Sequence, residues 1–286
     1  MNTPTLLPVP YFAPEEQLPG PLPTFEEILA GKEADGYDDP ECVQIGWKQV
    51  NRVGEHFVVK FGAGVNFLDG QNLNFVKNNT SIRVPALYAM YEREHEGKNM
   101  LVIVMEAIAG MTLEQKLPDL DAAGREAITM QLRACFDQLR GIPSPDYYRN
   151  IARQPDDFEE GPFTSAEAAS HNNVIHCFLH APGSTGPPVF THGSLHVANV
   201  IVQPDGAISI IDWEDAGFYQ AYIEYLGAIK MEMGTVEWKT EMIPGILDSF
   251  PEQLKLVLTL REEFDSRDDE FDRDEDELYR RSESKQ

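Results

Sequence analysis

The chain has 286 residues, 42% of them hydrophobic and 25% charged, enough for one large domain or two lobes with substantial cores. Its formal net charge of −25 argues against nucleic acid or an anionic membrane surface as the main partner. The same charge is compatible with a cationic small molecule, and no apolar run approaches the roughly 20 residues that a membrane span needs.

Residues 1–23 are proline-rich and read as an extended surface arm, without the basic region and apolar core of a signal peptide. Thr24 and Glu27 have capping-box spacing at the start of "TFEEILAG", where Phe25, Ile28 and Leu29 form a short apolar face and Gly31 a stop. From Val43 the pattern turns to short β-like runs. "VQIGWKQV" and "HFVVKFG" flank "NRVGE", a hairpin connection containing Gly54. "QNLNFVKNN" reads as a helix with Leu73 and Val76 three apart, and "VPALYAMYE" and "MLVIVMEAI" as two strands around polar "REHEGKN".

The second half is more helical. Ile128, Leu132, Cys135, Phe136 and Leu139 recur at helical spacing before Gly141 and Pro143. A loop rich in proline, glycine and acids runs to about residue 164, and a helix is expected from Ala166 to Leu179. "NVIVQPDGAISIID" reads as a hairpin turning at Pro204-Asp205-Gly206. "YIEYLGAIKMEM" and "EQLKLVLTLREEF" look helical, and residues 265–286 form an acidic charged tail. Cys42, Cys135 and Cys177 are sparse and lack metal spacing, which suggests reduced thiols in a cytoplasmic protein.

A site that handles a nucleoside triphosphate needs a cation on the phosphates, hard oxygen ligands for Mg²⁺, and a residue that orients and deprotonates the acceptor. Lys60 ends an apolar strand-like run, Asn199 follows "HGSLHVA", and Asp212 ends "AISIID". The joint pattern of His-Gly, an asparagine, a hairpin and then Ile-Asp-Trp-Glu is specific in a way that none of its members is alone.

On these residues the chain resembles the aminoglycoside phosphotransferase family, in the broad group that includes choline kinase-like enzymes. The likeness spans roughly residues 40–260. It rests on "VVKFG", "TSIRVP" from Thr80, "LRGIP" from Leu139, and "THGSLHVANVIVQPDGAISIIDWEDAGF", and its style is that of the fungal branch. The resemblance implies an α+β, two-lobed protein-kinase-like fold with an antiparallel-sheet N-lobe (24–108) and a mainly helical C-lobe (109–264). It implies ATP and Mg²⁺ as cofactors, Lys60 on the phosphates, and Asn199 and Asp212 as metal ligands. It places adenine at the main chain of Glu106 to Ile108 and an acid paired with Lys60 at Asp69, with Gln71 beside the expected slot. The substrate would be a small-molecule hydroxyl or amine.

One position departs from the pattern: Ser194 stands where the family carries its catalytic aspartate. A serine hydroxyl is no base near neutral pH, and losing a general base costs roughly 10²–10⁴-fold. Three readings stay open: an impaired or atypical transferase, a pseudokinase that binds or regulates, and an active kinase whose aspartate was replaced. A serine-hydrolase reading fails because "HGSLH" lacks the Gly-x-Ser-x-Gly elbow. Candidates to replace the base are Glu214 and Asp215, just past the metal-ligand position, and His196, two residues past Ser194. His192 and His196 are expected to shape the loop, and Trp213 and Phe218 to pack.

Overall fold

The computed structural model describes residues 4–33, 48–145, 147–148, 150–152, 186–230, 235–256 and 258–259. The helix expected over 166–179 and the tail 265–286 lie outside them.

Strand β1 (Tyr11–Phe12) and helix α1 (Phe25–Leu29) open the chain. The helix starts as its sequence dictates. Thr24 N–H donates to Glu27 Oε2 at 2.8 Å, and Glu27 N–H returns to Thr24 Oγ1 at 3.3 Å. Phe25 and Ile28 are buried as expected, but Leu29 is 44% exposed. Leu29 is the last residue of a five-residue helix and stands at the edge of its inward face, about 100° around from Ile28.

Strands β2 (Lys32–Glu33), β3 (Gln49–Val53) and β4 (Phe57–Gly62) follow. The β3–β4 turn sits later than the sequence suggested. Asn51, Arg52 and Val53 belong to β3, and the chain reverses around Gly54 at φ +62°. Helix α2 (Phe67–Asn79) begins four residues before the expected start, capped by Asn66, whose side chain accepts from Leu68 N–H. Strands β5 (Leu87–His95) and β6 (Lys98–Glu106) run through the polar residues expected to separate them, leaving only Glu96-Gly97 to turn. Backbone pairing here is indifferent to charge, because the far ends of both strands face solvent.

The six strands form one antiparallel sheet in the order β1-β5-β6-β4-β3-β2. Its two faces follow from strand period. Phe57, Val59 and Phe61 of β4 share one face with Val102 and Val104 and bury beneath α1. Lys60 is therefore turned to the opposite face, with Ile103 and Met105 and toward α2.

After β6 come β7 (Met111–Thr112), a single turn α3 (Leu113–Lys116) and the long helix α4 (Ala122–Arg140). Ile128, Leu132, Phe136 and Leu139 are its buried stripe, while Cys135 is half-buried. Strands β8 (Val189–Thr191), β9 (Val200–Val202), β10 (Ile208–Ile210) and β11 (Gly217–Tyr219) are short. The β9–β10 hairpin turns at residues 203–207, with Gly206 at φ +81°, as the sequence indicated. Helix α5 (Tyr222–Lys230) packs on α6 (Ile243–Ile246), which packs on α4, and residues 251–256 are helical.

One large core joins the sheet side to this helical half. At their junction Phe75 of α2 meets Phe190 at 5.0 Å, and Phe190 meets Phe218 at 5.1 Å. Pairing of β8 with β11, Thr191 opposite Gly217, brings the segments after and before those strands side by side.

Candidate active site

Lys60 lies 2% exposed between two carboxylates. Its Nζ is 2.7 Å from Asp69 Oδ2 and in direct contact with Asp212 Oδ1. Asp69 comes from the first turn of α2, and its other oxygen accepts the Trp213 N–H at 2.9 Å. Asp69 thus pairs with Lys60 despite lacking a methylene relative to glutamate. One turn of helix carries a second clamp: Asn72 Nδ2 donates to Trp213 O at 2.7 Å and to Ala216 O at 3.1 Å. Both ends of the 212–216 turn are tied to α2.

Asp212 itself sits at φ +62°, a left-handed conformation that aspartate tolerates better than most residues. Burial works to raise its pKa, but the charges of Lys60 and Lys48 prevail and hold it below the usual carboxylate range. Lys48 is anchored to Glu214 at 2.6 Å.

The loop 192–199 is built differently. His192 is fully buried, with Nε2 3.0 Å from Ile211 O and Nδ1 3.2 Å from Ser194 N–H. A carbonyl on one side and an N–H on the other assign the neutral tautomer protonated at Nε2. Burial pushes this imidazole down to about 4, against the bond to Ile211. Its ring stands edge-on to Trp213 at 4.6 Å. His196 accepts Ala198 N–H on Nδ1 at 3.2 Å and caps the turn that carries Asn199. Asn199 Nδ2 donates to Ser194 O at 2.9 Å, which turns the amide oxygen away from the loop main chain as the acceptor end. Ser194 Oγ is a weaker partner of the same amide, at 3.4 Å.

Gly193 is required on two counts. Its φ is +86°, and a Cβ there would lie 2.6 Å from Asp215 O and 2.9 Å from Asp215 Cβ. The turn after Asp212 therefore rests directly on the loop before Ser194. From α5, Glu224 Oε2 accepts His192 N–H at 2.6 Å and Gly193 N–H at 3.4 Å. Burial pushes Glu224 up to about 7, against these bonds and the charge of Arg140. Asp215 is pushed above the usual carboxylate range by surrounding protein, then by Glu214 and Asp212, a shift tempered by solvent at this exposed position.

Glu106 ends β6, with its N–H on Ala86 O and its carboxylate on Ala86 N–H. Ala107 N–H is taken by His56 O, and Ile108 follows half-buried. Lys60, Asp69, Asp212 and the Ser194–Asn199 loop therefore converge, while Glu106 and Ile108 lie at the sheet's exit toward the helical half. Sequence reasoning missed Asn72, Lys48 and Glu224. Glu224 had a signal, a lone acid in the apolar run "YIEYLGAI"; Asn72 and Lys48 had none.

The chain belongs to the APH phosphotransferase enzyme family, which it matches over residues 70–249, well over half its length. Ser194, Asn199 and Asp212 fall inside that match, whereas Lys60 and Asp69 precede it. No protein among the curated ones matches the chain in sequence. Among solved structures it is similar to a thermostable mutant of aminoglycoside phosphotransferase APH(4)-Ia in complex with AMP-PNP and hygromycin B. That likeness has 15% identity and a TM-score of 0.50, and it covers 79% of this chain and 84% of that one. It is also similar to APH(2″)-IIa with streptomycin and ATP, at 13% identity over 73% of this chain and 77% of that one, TM-score 0.49. The spectinomycin phosphotransferase APH(9)-Ia with ADP and spectinomycin matches at 13% identity, 73% and 74% coverage and TM-score 0.47. With the family match, the likeness to APH(4)-Ia gives an α+β, two-lobed, protein-kinase-like fold, and among the described residues no helix is long and apolar enough to cross a membrane.

Proposed function

We propose that the chain binds Mg²⁺·ATP between its lobes and is a relative of small-molecule hydroxyl kinases whose phosphoryl transfer is impaired at Ser194. The observation that carries this is the meeting of Lys60, Asp69 and Asp212 beside the loop that holds Asn199. Lys60 would hold the phosphates, oriented by Asp69. Asp212 stays ionised and Asn199 presents an amide oxygen, the hard ligands that Mg²⁺ takes. Two protein ligands would leave the rest of the shell to phosphate oxygens and water, the usual arrangement for Mg²⁺. Bound Mg²⁺ would neutralise charge on the transferring group. Glu106 O and Ile108 N–H are the main-chain groups proposed for adenine, since Ala107 N–H is already engaged. We divide the lobes near residue 108 and place the protein in the cytoplasm, with the free thiol of Cys135 in support.

A second reading, a binding or regulatory module, is favoured by the state of the two histidines. Each has its Nδ1 lone pair committed to a main-chain N–H, so neither is placed to take a proton from an acceptor beside Ser194. Asp215 abuts the loop at Gly193, and Glu224 holds it from helix α5, its Oε2 already taken by main-chain N–H groups. Thermal-shift titration with Mg²⁺·ATP tests the common part: a ligand that binds only the folded state raises the melting temperature. No shift and no calorimetric heat at saturating nucleotide would sink both readings. Ser194→Asp then separates them. An impaired transferase should gain roughly 10²-fold in ATP consumption or transfer to trial alcohols and amines. A module that has also lost its acceptor pocket should gain nothing. Residual turnover in the parent that vanishes in Asp215→Asn would assign the base to Asp215.

A further inference from the structure

We propose that the N-terminal arm is a positioning strap for the helix that carries Asp69, acting through a two-way hydrogen bond between Gln71 and the main chain of Leu7.

Residues 69–72 of α2 are all buried, Asp69 at 1%, Gln71 at 2% and Asn72 at 0% exposed. Four consecutive helical residues sweep most of a full turn, so at this level α2 has no solvent face. Each residue meets a different neighbour. Asp69 holds Lys60 and the Trp213 N–H. Gly70 lies against β5, where an added Cβ would come within 2.9 Å of Met90 Sδ. Asn72 holds the carbonyls of Trp213 and Ala216. Gln71 reaches the arm: Leu7 N–H donates to Gln71 Oε1 at 2.8 Å, and Gln71 Nε2 donates back to Leu7 O at 2.9 Å.

A primary amide that both accepts from and donates to one residue reproduces a peptide–peptide pair, and it fixes the register of the arm. Slipping the arm by one residue breaks both bonds at once. Four residues later the arm is fixed again. Tyr11 pairs with Met90 and Phe12 with Ala89, Ala13 N–H donates to Tyr88 O at 2.8 Å, and the Phe12 ring stacks on Tyr91 at 5.6 Å. Leu6 and Leu7 add apolar contact with the core. The arm therefore ties α2 to β5 at the strand residue on which Gly70 already rests, closing a triangle of arm, helix and strand.

Gln71 lies about 200° around the helix from Asp69, given about 100° per residue. Releasing the arm frees the side of α2 opposite the carboxylate, and the helix can then roll or tilt away from Lys60 and Trp213. The strap rests on the geometry alone. Its consequence for nucleotide affinity rests on the Mg²⁺·ATP reading above.

Two variants test it: Gln71→Met, which keeps volume and loses both bonds, and deletion of residues 1–8, which leaves Gln71 and the β1 pairing in place. Amide hydrogen exchange is followed without nucleotide, and Mg²⁺·ATP affinity by calorimetry, at a temperature where every variant is folded. In both variants, exchange of the Trp213 amide and of the first turns of α2 should quicken by roughly tenfold or more, with the β9–β10 hairpin unchanged. Affinity should weaken by roughly tenfold, within the range for residues that act on a site through other groups. A purely structural arm would lower the melting temperature while leaving the Trp213 amide and the affinity as in the parent, and that result overturns the proposal. If the parent does not bind Mg²⁺·ATP, the nucleotide reading fails, and the Trp213 exchange still decides the strap.

Discussion

On one side of the site Lys60, Asp69 and Asp212 meet as charges, whereas on the loop side His192, Ser194, His196 and Asn199 hold one another as neutral groups. Both sides are almost fully enclosed, so the contrast is one of chemistry and not of exposure. A buried charge that loses its partner is left uncompensated, and the penalty is large. A buried neutral group that loses one hydrogen bond costs less, but the loop it held changes shape. The charged side therefore governs whether the site can exist, and the neutral side governs where its atoms stand.

The largest effect should come from breaking the charged side. Lys60→Met leaves Asp69 and Asp212 facing each other without a cation, and should cost about 3–5 kcal/mol of stability together with Mg²⁺·ATP binding. Urea unfolding reads the first and calorimetry the second; a loss below about 1 kcal/mol would show that the carboxylates relax apart freely. On the neutral side, Gly193→Ala imposes a Cβ on Asp215 and a left-handed alanine. It should cost about 1–3 kcal/mol with an unchanged denaturant slope. An alanine variant as stable as the parent would show that the loop and the 212–216 turn move apart at no cost.

Acid titration sharpens the same comparison, because His192 and Glu224 carry opposite slopes in one contact. Glu224 is raised in the fold, so its contribution is complete below its ordinary value and is lost as pH rises through about 7. His192 is depressed, so its contribution is complete above its ordinary value and is lost as pH falls through about 4. Between pH 4.5 and 6.5, the ordinary values of the two groups, these tendencies offset each other in the parent. Glu224→Gln should uncover the histidine and make stability rise with pH there, by at most about 1.4 kcal/mol per unit relative to the parent. A difference curve that is flat across that window would mean that Glu224 is ionised throughout. The smallest effect belongs to an ion pair on the surface. Arg83 and Asp205, 3.6 Å apart and more than half exposed, should contribute under about 1 kcal/mol, so Arg83→Ala should barely move the melting temperature.

The charged side was the more legible from sequence, and for a physical reason. Lys60 ends an unbroken apolar strand run, and Asp212 closes a β-branched run, so their chemistry stands out against apolar neighbours. The helix between them was half hidden. Residues 69–72 are buried without an apolar side chain of their own, so "DGQN" carries no hydrophobic period and the sequence pattern starts α2 only at Gln71. Proline content indicates an extended surface arm but does not reveal that Leu7 and Tyr11 find partners far along the chain. Strand ends were blurred in the same way, since Glu92 to His95 pair as strand while facing water. Long-range main-chain pairing leaves almost no trace in composition, whereas short-range caps such as Thr24 with Glu27 are written directly into it.

The backbone of Asp212 also sets the alphabet available to a mutational library. A left-handed φ of +62° admits glycine, asparagine and aspartate far more readily than the other residues, and penalises the β-branched ones most. Contact with Lys60 applies a second filter, which only aspartate passes with its charge intact. A saturation library at position 212 scored for soluble expression should therefore retain three letters, and the same library scored for ligand-dependent stabilisation should retain one. The two letters that survive the first screen and fail the second, Asp212→Asn and Asp212→Gly, are the variants in which the shape of the turn is kept and its chemistry removed.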